Sequence, residues 1–102
     1  MKETNMTDAW RTVQLFLSSQ AAGIFEVEVE TEIKDIRCNC PVWKTKKSCK
    51  HSRFVRRKMD NNDGHYSIMV PYEIDDDLAL AANDSPKKFR EFVLRYAKVE
   101  VL

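Results

Sequence analysis

Cys38-Asn39-Cys40-Pro41-Val42-Trp43-Lys44-Thr45-Lys46-Lys47-Ser48-Cys49-Lys50-His51 is the stretch that decides the fold of this chain. It reads as Cys-x-Cys, eight residues, then Cys-x-His. All three cysteines lie in this window, with one of the two histidines. Structural zinc takes four ligands tetrahedrally, and three thiolates with one imidazole is a standard set. On an extended strand residues i and i+2 point the same way, so Cys38 and Cys40 can chelate one ion. Eight residues let the chain turn back, and Cys49 and His51 then close the site at the start of a following helix. Pro41 stops the strand ladder just after the second ligand. A catalytic Cys–His pair would be a lone nucleophile beside a base, whereas three clustered thiols read better as a closed metal site. An odd number of cysteines argues against a closed disulfide framework.

Charge is segregated around the same stretch. The chain has 102 residues, 17 Lys and Arg, 16 Asp and Glu, and a net charge of +1. Residues 37–58 hold Arg37, Lys44, Lys46, Lys47, Lys50, Arg53, Arg56, Arg57 and Lys58, and no acid. The rest of the chain keeps eight basic residues against all 16 acidic ones, a net of −8. Such segregation points to an electrostatic task for the basic segment, the plainer reading being a face that pairs with the acidic half. Lys44, Lys46 and Lys47 fall in the expected loop between ligand pairs. Lys50, Arg53, Arg56 and Arg57 fall on the expected helix, whose spacing groups the arginines while Phe54 and Val55 turn inward. Together they form a candidate phosphate-binding surface. Trp43 is either a cover over the metal site or a platform for an unpaired base. No base-reading residue set stands at finger-helix spacing, so the expectation is backbone contact.

The motif resembles the SWIM zinc finger, Cys-x-Cys-x(n)-Cys-x-His. Cys38-Asn39-Cys40-Pro41 and Cys49-Lys50-His51 carry the resemblance, including the Pro after the second Cys and the Lys between the last two ligands, and Trp43 fills the usual aromatic place. The resemblance implies a β-hairpin and a helix around one structural zinc, over about residues 24–59. It implies DNA binding or protein–protein contact, not catalysis by the metal. Small stand-alone proteins of this kind look like those of bacteriophages. CDGSH-type iron–sulfur proteins share Cys-x-Cys, eight residues, Cys, but their His follows at four residues within Cys-Asp-Gly-x-His. Here it follows at two, with Lys50 in place of the Asp and no Gly, which favours zinc and leaves iron–sulfur as the alternative to exclude.

Outward from the motif the chain reads as one α+β domain over residues 7–102, after a tail at 1–6. Thr7 caps an expected helix over about 8–22, ending before Gly23, with Trp10, Val13, Leu17 and Ala21 on its inner face. Residues 13–17 also fit a strand. Residues 24–33 alternate Phe25, Val27, Val29, Thr31 and Ile33 with Glu26, Glu28, Glu30 and Glu32, the pattern of a half-buried strand. Its glutamates are expected as a solvated face or a counter-surface to the basic segment. A second strand is expected over 36–40, a helix after Ser48 through about Met59, a turn at Asn61-Asn62-Asp63-Gly64 and a short strand over 66–70. Asp75-Asp76-Asp77 suits the positive end of a helix dipole. Ser85-Pro86 starts a helix whose Phe89, Phe92, Val93 and Tyr96 face the core, and residues 99–102 end as a strand.

These features set the functional expectation. The longest apolar run, residues 78–82, is far short of the ~20 needed to span a membrane. The first residues carry no apolar h-region, which points to an intracellular protein, cytoplasmic or nucleoid-associated, with reduced thiols. A four-ligand zinc leaves no position for water, and apart from the ligands only His65 could act as a neutral-pH base, so no catalytic residue and no small-molecule substrate is expected. The expected cofactor is one structural zinc on Cys38, Cys40, Cys49 and His51. The expected partner is nucleic acid, DNA ahead of RNA. The alternative is a protein-interaction module, an adaptor or inhibitor, with the same structural metal.

Overall fold

The computed structural model describes residues 10–18 and 23–102. The element order is β1 (Trp10–Leu17), β2 (Ile24–Glu30), β3 (Asp35–Cys38), α1 (Pro41–Lys46), α2 (Lys50–Asp60), α3 (Asp76–Ala82), α4 (Pro86–Tyr96) and β4 (Val99–Val101). The fold is α+β, with one four-stranded sheet in the order β3-β2-β1-β4. β1–β2 and β2–β3 are antiparallel and β1–β4 is parallel.

The helix expected over residues 8–22 is instead β1, as far as it falls within the described residues, and the alternative strand over 13–17 lies within it. The reason is position. β1 is an inner strand, and Thr12, Val13, Gln14, Leu15 and Phe16 are all buried. A strand covered on both faces shows no polar alternation, so its apolar residues also satisfy a helical spacing. A register shift between Thr12 and Gln14 further disturbs the period of two. The tail at 1–6 lies outside the described residues.

β2 follows its alternation, with Val27 and Val29 buried and Phe25 half-buried. Of the two expectations for its glutamates, the solvated face is corrected, and the counter-surface to the basic segment holds in part, at Glu28. Glu26 is held by Arg90 and Glu28 by Arg37. Glu30 is 8% exposed, and its Oε1 accepts hydrogen bonds from the backbone N–H groups of Glu32 and Ile33 at 2.8 and 2.7 Å. It thus closes the turn into β3, in which Lys34 takes a left-handed φ of 63°. Strand β2 consequently ends at Glu30, and Ile33, expected inside, is 70% exposed.

Residues opposed in an antiparallel pair share a face. Phe16 opposes Phe25, Gln14 opposes Val27, and Val27 opposes Cys38. That face receives α2, with the Phe16 and Phe54 rings edge to face at 5.3 Å. Val55 and Met59 complete this core. Leu15 and Glu26 share the other face, which receives α4 through Arg90 and the buried Val93. Phe89, Phe92 and Tyr96, expected to face the core, are half-buried, and Val93 takes the central, fully buried position.

Local chemistry sets the helix starts. The Asp75 carboxylate accepts from the Asp77 N–H and the Ser85 hydroxyl from the Lys88 N–H, both at 3.1 Å, with Pro86 at the first position of α4. Asn61-Asn62-Asp63-Gly64 forms the expected turn. The strand expected over 66–70 is a connection without regular secondary structure, outside the sheet. Its Tyr66 hydroxyl donates to the buried Gln14 Oε1 at 2.7 Å, while Gln14 Nε2 donates to the Lys98 carbonyl at 2.7 Å beside β4. Among the described residues no helix is long and apolar enough to cross a membrane.

Candidate metal centre and cationic surface

Four side chains converge where β3 ends and α1 and α2 begin. Cys38 is the last residue of β3, Cys40 precedes α1, Cys49 precedes α2 and His51 lies in its first turn. Their ligand atoms all lie within 4.8 Å of one another, and all four residues are buried. His51 Nδ1 is 3.7 Å from the Cys38 sulfur and 3.9 Å from that of Cys49. Tetrahedral bonds of about 2.3 Å to sulfur and 2.0–2.1 Å to nitrogen put neighbouring S and N atoms roughly 3.6 Å apart. The donor set, its spacing and its burial therefore fit a tetrahedral thiolate-binding metal, with Nδ1 as the imidazole donor.

The two helices serve this cluster. Cys49 is the N-cap of α2, its sulfur accepting from the Ser52 N–H at 3.4 Å while its own N–H donates to the Ser52 hydroxyl at 3.1 Å. Burial pushes the Cys49 thiol up, but the Ser52 N–H and hydroxyl and the neighbouring thiols outweigh it and leave the pKa below the ordinary 9.0. A cysteine at a helix N-terminus is thereby favoured as thiolate. Burial drives the Cys38 thiol strongly upward, and the nearby Cys49 and Cys40 add to this. A cation among the sulfurs would reverse that balance, since metal ligation deprotonates a thiol outright. Burial, then the charge of Lys50, lowers the His51 pKa and favours the neutral ring that metals bind.

The remaining surroundings of His51 are aromatic. Its ring centroid is 4.7 Å from Phe16 and 5.7 Å from Phe25. Nε2 is buried without a hydrogen-bond partner among the described residues. The ring is thus oriented by packing, not by the carboxylate or carbonyl that usually receives the second N–H of a ligating histidine. Phe16, Phe25 and Ser52 are the site residues that sequence reasoning missed. Ser52, three residues after the cap at Cys49, sits at capping-box spacing and was legible in principle. The aromatic pair became visible only once β1 was a strand.

The cationic residues cluster as expected, with one change of scaffold. Lys44 and Lys46 lie on α1, a helix where a loop was expected, and Lys47 is its C-cap. Pro41 at the first helical position explains it. Lys47 adopts a left-handed φ of 58°, and its ammonium sits 4.7 Å from the centroid of the Trp43 ring. Trp43 is half-buried and packs against the cysteine-containing core, so the cover reading fits its position. On α2, Lys50, Arg53, Arg56 and Arg57 are exposed while Val55 is buried and Phe54 half-buried. Arg53 donates to the Ser48 hydroxyl at 3.2 Å and Arg56 to the Lys34 carbonyl at 2.9 Å. His65 is exposed on the turn after α2, away from the ligand cluster.

Internal pairing does not consume this charge. Among the described residues, ion pairs join Arg37 to Glu28, Lys88 to Asp84, Arg90 to Glu26 and Lys98 to Glu100. Of the basic segment only Arg37 is paired, and it also stacks 4.1 Å from the Trp10 ring centroid. The eight cations from Lys44 to Lys58 have no carboxylate within ion-pair distance among those residues.

No family model, curated protein or solved structure matches the chain. The reading of the site accordingly stands on its own geometry.

Proposed function

We propose that this chain is a zinc-stabilised nucleic-acid-binding protein of the SWIM type, contacting phosphates through α1 and α2. The observation that carries the reading is the set of eight exposed cations on α1, its C-cap and α2, none within ion-pair distance of a carboxylate among the described residues, with both helices starting at residues of one Cys3His cluster. Keeping so many like charges together costs stability, and phosphate oxygens are the partner that releases it. Zinc, when bound, cross-links β3 to both helices and fixes the cationic surface. Three thiolates and one imidazole complete its tetrahedron, so the metal is structural and the protein is not an enzyme. The −8 carried by the rest of the chain repels nucleic acid from other faces and turns the cationic side toward it.

A mobility-shift or anisotropy titration over a salt series, with and without chelator, tests this. If about four cations meet phosphates of duplex DNA, log affinity falls against log salt with a slope near −3.6. Chelation abolishes binding together with the fold. A zinc-loaded protein that binds neither DNA nor RNA at low salt gives way to the protein-interaction reading. That reading has its own support in an apolar groove of about 730 Å3 between α3 and α4, lined by Leu78, Phe92, Leu94 and Tyr96.

A further inference from the structure

The cations are not spread evenly over the surface. A cleft of about 230 Å3 opens between β3, the end of α1 and the outer face of α2. Lys47, Arg53 and Arg56 line it, with the hydroxyl-bearing Ser48 and Ser52 and a wall of Trp43 and Ile36. One acid, Asp35, also lines it, and its Oδ1 accepts from the Ile36 N–H at 3.2 Å. Three cations against one carboxylate leave the cleft positive.

The cations are arranged to turn to a ligand. Lys47 rests on the Trp43 ring, a contact worth about 0.5–1 kcal/mol at an exposed site. Arg53 spends one N–H on a neutral hydroxyl and Arg56 one on a carbonyl, which leaves further guanidinium donors on each. A phosphate oxygen is a stronger acceptor for all three, because charge-assisted hydrogen bonds are roughly twice as strong as neutral ones. Arg57, in contrast, does not line this cleft, and Lys44 lines a neighbouring one in which Glu28 and Glu26 already pair with Arg37 and Arg90.

We propose that this cleft seats one phosphate group of a bound strand, gripped by Lys47, Arg53 and Arg56, with the Ser48 hydroxyl as an additional donor. The inference rests on the nucleic-acid reading and sharpens it from a diffuse field to a defined subsite. The seat is also tied to the metal. Ser52 on its floor is the residue that caps Cys49, and Ile36 on its wall lies two residues before Cys38.

The test uses full-length zinc-loaded protein, a short single-stranded oligodeoxynucleotide with or without a 5′-phosphate, and inorganic phosphate as competitor. Lys47→Gln and Arg53→Gln should each weaken oligonucleotide binding by about tenfold or more. Lys44→Gln and Arg57→Gln, which remove the same charge elsewhere, should each weaken it by about threefold or less. A Trp10→Phe background isolates Trp43 fluorescence, which should change on titration with inorganic phosphate as Lys47 leaves the ring, and should not change in Lys47→Gln. Preference for the 5′-phosphorylated oligonucleotide assigns the seat to a strand end, and equal affinity assigns it to an internal phosphodiester. Equal losses from all four substitutions, with zinc content and circular dichroism unchanged, would overturn the seat while keeping nucleic-acid binding. Absence of binding by the wild type at low salt would instead remove the parent reading.

Discussion

Arg90 on α4 grips Glu26 on β2 through two guanidinium nitrogens, at 3.1 and 2.6 Å from the two carboxylate oxygens. The pair spans 64 positions of sequence and ties the second helical layer to the sheet. The Arg90 hydrogen bond holds the Glu26 carboxyl below its ordinary 4.5 against the upward push of burial, helped by the Arg90 charge and the Thr12 hydroxyl. A depressed carboxyl stabilises the fold above its unfolded pKa and loses that contribution as pH falls through its folded one. The pair is partly exposed, so its worth is about 0.5–1 kcal/mol. Arg90→Ala should lower the urea midpoint accordingly at pH 7, and the gap to the wild type should narrow as pH falls below the ordinary carboxylate range and the Glu26 carboxyl takes up its proton.

Metal ligation should decide whether the chain folds. Metal binding supplies on the order of 10 kcal/mol in small zinc domains, comparable to the ~5–15 kcal/mol total stability of a domain. Cys38→Ser, Cys40→Ser, Cys49→Ser and His51→Ala should each reduce bound zinc well below one ion per chain and remove the cooperative thermal transition. His65→Ala should change neither. Elemental analysis paired with calorimetry reads both, and a visible iron–sulfur absorption band would replace zinc with a cluster.

Phe16 links the core to the cluster. It is fully buried against both His51 and Phe54. Phe16→Ala should cost about 3–5 kcal/mol in chemical denaturation. It should also lower zinc affinity, measured by competition with a chelating dye, since packing is what orients the imidazole. Phe16→Leu should restore most of the stability.

The buried amide of Gln14 joins β1 to Tyr66 and to the approach of β4. Gln14→Leu leaves the Tyr66 hydroxyl and the Lys98 carbonyl without their partner and should cost about 2–4 kcal/mol. Amide exchange at Val99 and Val101 should accelerate more than in β2. Adding Tyr66→Phe should recover part of the loss, which a double-mutant cycle resolves.

The parts of the fold that were legible in sequence are those where local chemistry and tertiary position agree. Ser85-Pro86 caps α4, the alternation of 24–30 forms β2, and Cys-x-Cys with Cys-x-His gathers four buried ligands. Local signals failed where the surroundings decide. β1 fitted a helix as well as a strand because both its faces are covered. The glutamates of β2 looked solvated because Arg90 lies 64 positions from Glu26, and because the pairing of Glu28 with Arg37 depends on the register of β2 against β3. Helix α1 hid in a lysine-rich loop whose one local signal, Pro41, served equally as a strand stop. The cationic residues could be named from sequence, but not the cleft that gathers only three of them.

Lys47 occupies a backbone position that glycine would accept without strain, since a left-handed conformation costs a side-chain-bearing residue roughly 1–2 kcal/mol. Its place at the end of α1 is the one where helices commonly put glycine. Lys47→Gly should therefore raise the melting temperature of the zinc-loaded protein while stripping the cleft of a cation. Selection for heat resistance and selection for ligand retention would pull this single codon in opposite directions.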